Sequence, residues 1–215
     1  MPVTLHVWRV PRHLVGAAMV RVAFPGPHRT SFAKFLGTAD GFGPLDADLT
    51  RWAAVTVSER PVLLPKWDKI AVARARVSLT PLHSRGSWSG KTPFEAHRPA
   101  PDGMVLGLTR ARLRPTRAAA FWRAIPPVAR EVAGAPGLLA QFGIGEAPLG
   151  WQGTVSLWRN AADLARFAYR QPEHRQVIAR TPTDGWYAEE LFARFAVDEI
   201  TGDRAVLGWV AGERA

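Results

Sequence analysis

The same order of strand and helix signals occurs twice along this chain, and that doubling limits the fold more than any other feature. WAAVTVS at Trp52–Ser58 has a counterpart in WQGTVSL at Trp151–Leu157, and ARARVSL at Ala73–Leu79 has one in LFARFAV at Leu191–Val197. Each alternates apolar and polar side chains, the mark of a strand with one buried face. The second half reads clearly. Met104–Arg114 is a strand, and Pro115 opens a helix over TRAAAFWRAI that Pro126 and Pro127 end. Leu138–Ile144 and Trp151–Trp158 are strands. Asn160 caps a helix over ADLARFAY, interrupted at Pro172 and resumed to about Arg180. Leu191–Val197 is the last strand. The first half repeats this with strands at Thr4–Val10, Ser31–Leu36, Trp52–Ser58 and Val72–Leu82, a helix from Pro11 to Val22 and a short one at Leu63–Ile70.

That order, β-α-β-β-α-β taken twice, predicts an α+β fold of tandem ferredoxin-like repeats. Residues 1–89 and 104–215 are the expected halves. Gly90–Gly103, with three prolines and no apolar period, is the expected connection. Two four-stranded sheets would then form a barrel or sandwich with helices outside, leaving an apolar pocket between sheet and helix.

The apolar fraction of 47% supplies a core, and nine Trp and ten Phe are many for this length: some are expected to fill the core and some to line a cavity. The chain has no cysteine, which excludes disulfides, thiolate-bound haem, cysteine-held iron–sulfur clusters and cysteine-rich zinc sites. A reducing cytoplasm fits that composition. No apolar run reaches the length of a membrane span, and the N-terminus lacks a signal-peptide pattern. The net charge of +10 comes mostly from arginines scattered along the chain. Without an accompanying motif it does not point to nucleic acid, and a GC-rich genome accounts for it.

None of the six histidines pairs at the spacing of a zinc or non-haem iron site on one element. His6 lies in a strand, where packing is its expected role. His174 is different because it falls in the first turn of a helix begun by Pro172. The positive helix end disfavours imidazolium there, and a neutral ring keeps the lone pair a metal needs. Phe167, Val177 and Ile178 make an apolar wall around it, and Arg170 sits at the edge, where a guanidinium suits a carboxylate. The same position also suits an ordinary polar residue at a helix start, so the local pattern leaves both readings open. Arg110 and Arg112 share one face of LTRARL, toward a cavity or toward solvent. Glu146, Glu189 and Glu190 stand near glycines or a helix start, where capping is common. Ser87, Ser89 and Ser156 lack a nucleophile-elbow context, and GTADGFG is not a phosphate loop.

FAKFLGTADGFG, SWSGKTPFE, LTRARLRPTRAAAFW, GIGEAP, TVSLW, PEHRQVI and GWYAEELFARF span most of the chain. On these motifs it resembles the spheroidene monooxygenase family of carotenoid-oxidising enzymes. The resemblance implies a haem-containing monooxygenase with a dimeric α+β barrel-type fold. That fold is shared with dye-decolourising peroxidases, chlorite dismutases and aldoxime dehydratases, which hold haem through one histidine. His174 within PEHRQVI is then the implied proximal ligand of haem b iron. Arg170, Phe167, Val177, Ile178, Phe142 and Trp158 become the expected cofactor surroundings. Arg110 or Arg112 would stabilise negative charge at the reacting centre. The expected partners are an apolar small-molecule substrate, an electron donor and a second copy in a homodimer. Two other readings stay open: a haem enzyme that dehydrates or rearranges an N–O substrate, and a cofactor-free ferredoxin-like module.

Overall fold

The computed structural model describes residues 1–26, 29–41, 46–95, 102–117, 132, 134–146, 151–170 and 186–209. Eight strands make up the frame. They are β1 (Val3–Arg9), β2 (Phe32–Ala39), β3 (Ala47–Val57), β4 (Ala73–Gly86), β5 (Val105–Leu113), β6 (Leu138–Gly145), β7 (Trp151–Trp158) and β8 (Tyr187–Gly202). The described helices are α1 (Val15–Ala23), α2 (Pro65–Asp68) and α3 (Ala161–Arg170).

All strand pairs are antiparallel, and the order β1-β3-β2-β6-β7-β5-β8-β4 closes on itself. Each half contributes a sheet of four, β4-β1-β3-β2 and β8-β5-β7-β6. The tandem ferredoxin-like α+β fold expected from the repeated pattern is therefore present, with the sheets joined edge to edge as a barrel. The two seams differ in length. β2 meets β6 over three residue pairs, Gly37↔Gly145 to Ala39↔Gly143. β4 meets β8 from Ala75↔Gly202 to Gly86↔Leu191, with irregularities at Ser78/Leu79 and Pro81/His83. Closure removes the exposed edges that an open sheet presents.

The barrel interior is packed, not hollow. Apolar side chains alternate inward along the strands, among them Leu5, Val55, Val77, Leu108, Val155 and Phe195. One end is stopped by Val206 and Leu207 from the 3-10 turn Arg204–Leu207. The other is stopped by Trp88 and Phe94, whose rings meet Phe32 and Phe195 edge-on at 5.5 and 4.9 Å. Residues 87–95, partly expected as connection, thus serve as a plug. Pro11 opens a 3-10 turn, Arg12–Leu14, before α1 begins. Pro115 likewise opens a 3-10 turn, Pro115–Arg117, and the helix expected beyond it lies outside the described residues.

The outer face of the first sheet is filled by aromatic rings. Trp67 of α2 stacks on Trp8 at 4.9 Å and on Phe35 at 6.0 Å, with Trp52 tilted against it. The Trp8 indole N–H donates to Asp68 Oδ1 at 2.9 Å. Beside this stack lies His6, fully buried and 5.5 Å from the Trp8 ring. Burial first, and then the Arg76 charge, push His6 down from 6.5 to about 4. The unfolded chain binds that proton below 6.5 and the folded chain only below about 4. Stability from this group is therefore full above 6.5 and falls as pH drops toward 4, by about 3 kcal/mol in all. Urea midpoints at pH 7, 5 and 4 check this. A His6→Leu variant should lack that slope, and an unchanged slope would refute the buried neutral ring.

Candidate functional site

The alternation of β5 gives the second sheet two chemically different faces. Leu106, Leu108 and Arg110 point into the barrel, and Arg112 continues that side at the exposed rim, opposite Glu189 in register. Val105, Gly107, Thr109 and Ala111 point outward, toward α3.

The inward face ends in a charged cluster. The Arg110 side chain is only 3% exposed. Its Nε donates to Glu146 Oε1 at 3.1 Å, Nη2 stands 3.0 Å from the same oxygen, and Nη1 pairs closely with Glu189 Oε2. Glu146 also accepts from the Trp88 indole and, at 2.7 Å, from Lys34 Nζ, which in turn donates to Ser89 Oγ. Glu189 accepts from the Ser87 hydroxyl at 3.0 Å and from the Gly90 N–H at 2.8 Å. Burial alone would raise the Glu189 carboxyl. The Gly90, Arg110 and Ser87 donors outweigh it and bring the group down to about 2. Two cations thus face two carboxylates with most hydrogen-bonding positions answered, and Arg110 lies 5.9 Å over the Trp88 ring.

The outward face carries small and hydroxylated residues. Register places Gln141, Ser156, Gly107 and Arg194 in one row, and Thr154, Thr109 and Phe192 in the next. The Thr109 and Thr154 hydroxyls meet at 2.6 Å. At Gly107 α3 packs on the sheet: a Cβ there would stand 3.0 Å from Ser156 Oγ and 3.7 Å from Leu164 Cδ1. Gln141 Oε1 is buried and accepts no hydrogen bond from the described residues. A buried acceptor above a floor of small side chains fits a polar-edged ligand on this face. The aromatic filling of the first sheet leaves no comparable floor there.

Helix α3 forms the described part of the wall. Its start is fixed by Asn160 Oδ1, which accepts from the Asp163 N–H at 2.8 Å, as the capping pattern predicts. Buried Asp163 is held by Arg159 and Arg166 at 2.9 and 2.8 Å, and its carboxylate occupies the space a side chain at Gly137 (φ +85°) would need. Leu164 and Phe167 face the sheet, and Phe167 stacks on Trp158 at 5.3 Å.

The structure separates the sequence-predicted residues. Phe167 and Trp158 lie together on the α3 side. Phe142 instead faces the barrel interior, beneath the Arg51 guanidinium at 5.1 Å. Arg110 is committed to two carboxylates on the inward face, and Arg112 is exposed at the rim. These placements set Phe142, Arg110 and Arg112 on the opposite side of the sheet from α3. Arg170 is the last residue of α3. His174, Val177 and Ile178 lie outside the described residues. Among the described residues no group of three His, Asp or Glu side chains could hold a metal ion. The sequence does not single out Lys34 and Trp88, because their partners are distant along the chain, and Glu146 and Glu189 read there as capping residues. Yet five quoted motifs, FAKFLGTADGFG, SWSGKTPFE, LTRARL, GIGEAP and GWYAEEL, send Lys34, Trp88, Arg110, Glu146 and Glu189 to this one barrel end.

Comparison with known proteins finds relatives in three organisms, each a spheroidene monooxygenase. The one from Rhodobacter capsulatus is 34% identical over 181 residues, 78% of this chain and 75% of the relative. The one from Rubrivivax gelatinosus is 33% identical over 80% of this chain and 70% of its own length. For Cereibacter sphaeroides the figures are 32%, 80% and 58%, so this chain spans little more than half of that relative. No family model matches the chain. Among solved structures, an aldoxime dehydratase shares the fold with a TM-score of 0.59 at 12% identity, over 92% of this chain and 81% of that one. A second aldoxime dehydratase, crystallised with butyraldoxime, gives 0.54 at 10% identity over 91% and 79%.

Proposed function

This chain belongs to the spheroidene monooxygenase family, and from that premise we propose that it is a haem-dependent monooxygenase oxidising an apolar small molecule. The observation that carries the reading is one-third identity to spheroidene monooxygenases over about four-fifths of the chain. A porphyrin would lie beside α3, where the second sheet presents the Thr109, Thr154 and Ser156 hydroxyls. In this reading His174 would hold the iron of haem b, and Arg170 would answer a propionate. When bound, the haem supplies the redox chemistry that activates dioxygen. The chain does the rest. Phe167 and Trp158, buried and stacked on each other, would keep water from that side. The Thr109 and Thr154 hydroxyls offer a hydrogen bond to dioxygen or to the substrate's reacting end, a role that falls to them because Arg110 and Arg112 lie on the other face. The reaction also needs an electron donor.

Protein expressed with a haem precursor is expected to carry a Soret band and to oxidise a linear polyene only when dioxygen and a reductant are present. Anaerobic conversion of an aldoxime, with no polyene oxidation in air, would replace the oxygenase reading by dehydration. A colourless protein that rejects added haem would remove the cofactor.

A further inference from the structure

Helix α1 buries one side and leaves the other bare. Ala18 is fully buried, with Val15 and Val22 partly buried, against the aromatic layer of the first sheet. Outward lie Gly16, Met19, Val20, Ala23 and, just past the helix end, Phe24. At 100° per residue these five cover an arc of about 140° with no polar side chain in it. Met19, Val20 and Phe24 are 52, 60 and 79% exposed. Single exposed apolar residues are ordinary, but a continuous apolar arc on one helix marks a contact surface.

The charge around the arc identifies the partner. Arg12 precedes the helix, Arg21 sits beside it with Nη1 donating to the Ala17 carbonyl at 3.0 Å, and the exposed Arg29 follows it. No acidic residue occurs before Asp40, and Asp40 is itself paired with Arg51 at 2.7 Å. A two-fold contact between copies of this chain would set these cations against each other. An anionic surface answers them while taking up the apolar side chains. Apolar residues set among cations, on a helix lying flat, match the boundary layer of a negatively charged bilayer. Among the described residues no helix is long and apolar enough to cross a membrane, so the contact is one of lying on the surface. We propose that the outer face of α1, from Gly16 to Phe24, docks this protein on an anionic lipid bilayer. This goes beyond the proposed reaction and does not depend on haem binding or turnover.

The test uses the whole protein and sedimentation with vesicles. Vesicles of equal parts phosphatidylcholine and phosphatidylglycerol are expected to bind it at least about tenfold better than phosphatidylcholine alone, with the advantage shrinking in high salt. Phe24→Asp and Val20→Asp should each weaken binding by about tenfold or more, with unchanged circular dichroism and thermal midpoint because both positions are exposed. Equal binding by parent and variants, binding indifferent to lipid charge, or no binding would overturn the proposal. So would light scattering that finds a dimer split by Phe24→Asp, which would make the face a contact between copies.

Discussion

Arg110→Ala is expected to lower the free energy of unfolding by about 3–5 kcal/mol, because it takes from Glu146 and Glu189 the guanidinium that both carboxylates share at the barrel end, while Lys34 stays on Glu146. The Arg110 guanidinium reaches both carboxylates at once, and its planar fork fits that task. Arg110→Lys should recover only part of the loss, since a single ammonium cannot repeat the geometry. Urea denaturation followed by tryptophan fluorescence measures both. The pH dependence separates this cause from simple loss of packing. Glu189 is held at about 2 against 4.5 in the unfolded chain. Its stabilising contribution is present above 4.5 and is lost as pH falls toward 2. The parent should therefore lose stability through that window, and Arg110→Ala should lose less, narrowing the gap between them. A loss below about 1 kcal/mol, as solvent-screened pairs give, would show that the cluster is not a buried network.

His174→Ala is expected to abolish the Soret band of the haem-loaded protein and its polyene oxidation. A single imidazole is the one iron ligand this reading assigns, and no cysteine exists to replace it. Exogenous imidazole should restore the band in part, because the small ring enters the space the side chain leaves. That rescue distinguishes a lost ligand from a misfolded protein. A variant that keeps a full-intensity, unshifted band would dismiss His174 as the ligand. Because the vesicle experiment reads a different surface, its outcome stands apart from this one.

Much of the architecture was legible because its signals are local. Period-two alternation located β7 at Trp151–Trp158, and Asn160 with Asp163 marked the start of α3. The last strand shows the limit. Leu191–Val197 is the alternating core, but β8 runs from Tyr187 to Gly202. Its outer residues, such as Glu199 and Thr201, are strand because β4 supplies hydrogen-bond partners along the seam. The second helix of the first half shortens to Pro65–Asp68, since Trp67 docking on Trp8 fixes a single turn there.

The candidate site divides in the same way. That Arg110 and Arg112 share a face follows from the alternation of one strand, and so does the separation of Thr109 from them. Which face is inside does not follow, because a strand pattern has two sides and no centre. Sequence alone determined the repeated β-α-β-β-α-β order, the family and the absence of thiolate chemistry, all of which reside in short windows or in composition. Only the tertiary structure decided that the sheets close edge to edge, that Arg110 joins Lys34, Glu146 and Glu189 inside the barrel, and that the first half fills with tryptophan the face the second half lines with hydroxyls. The reason is physical: barrel closure and buried ion pairing join side chains far apart along the chain, and no local window holds both partners.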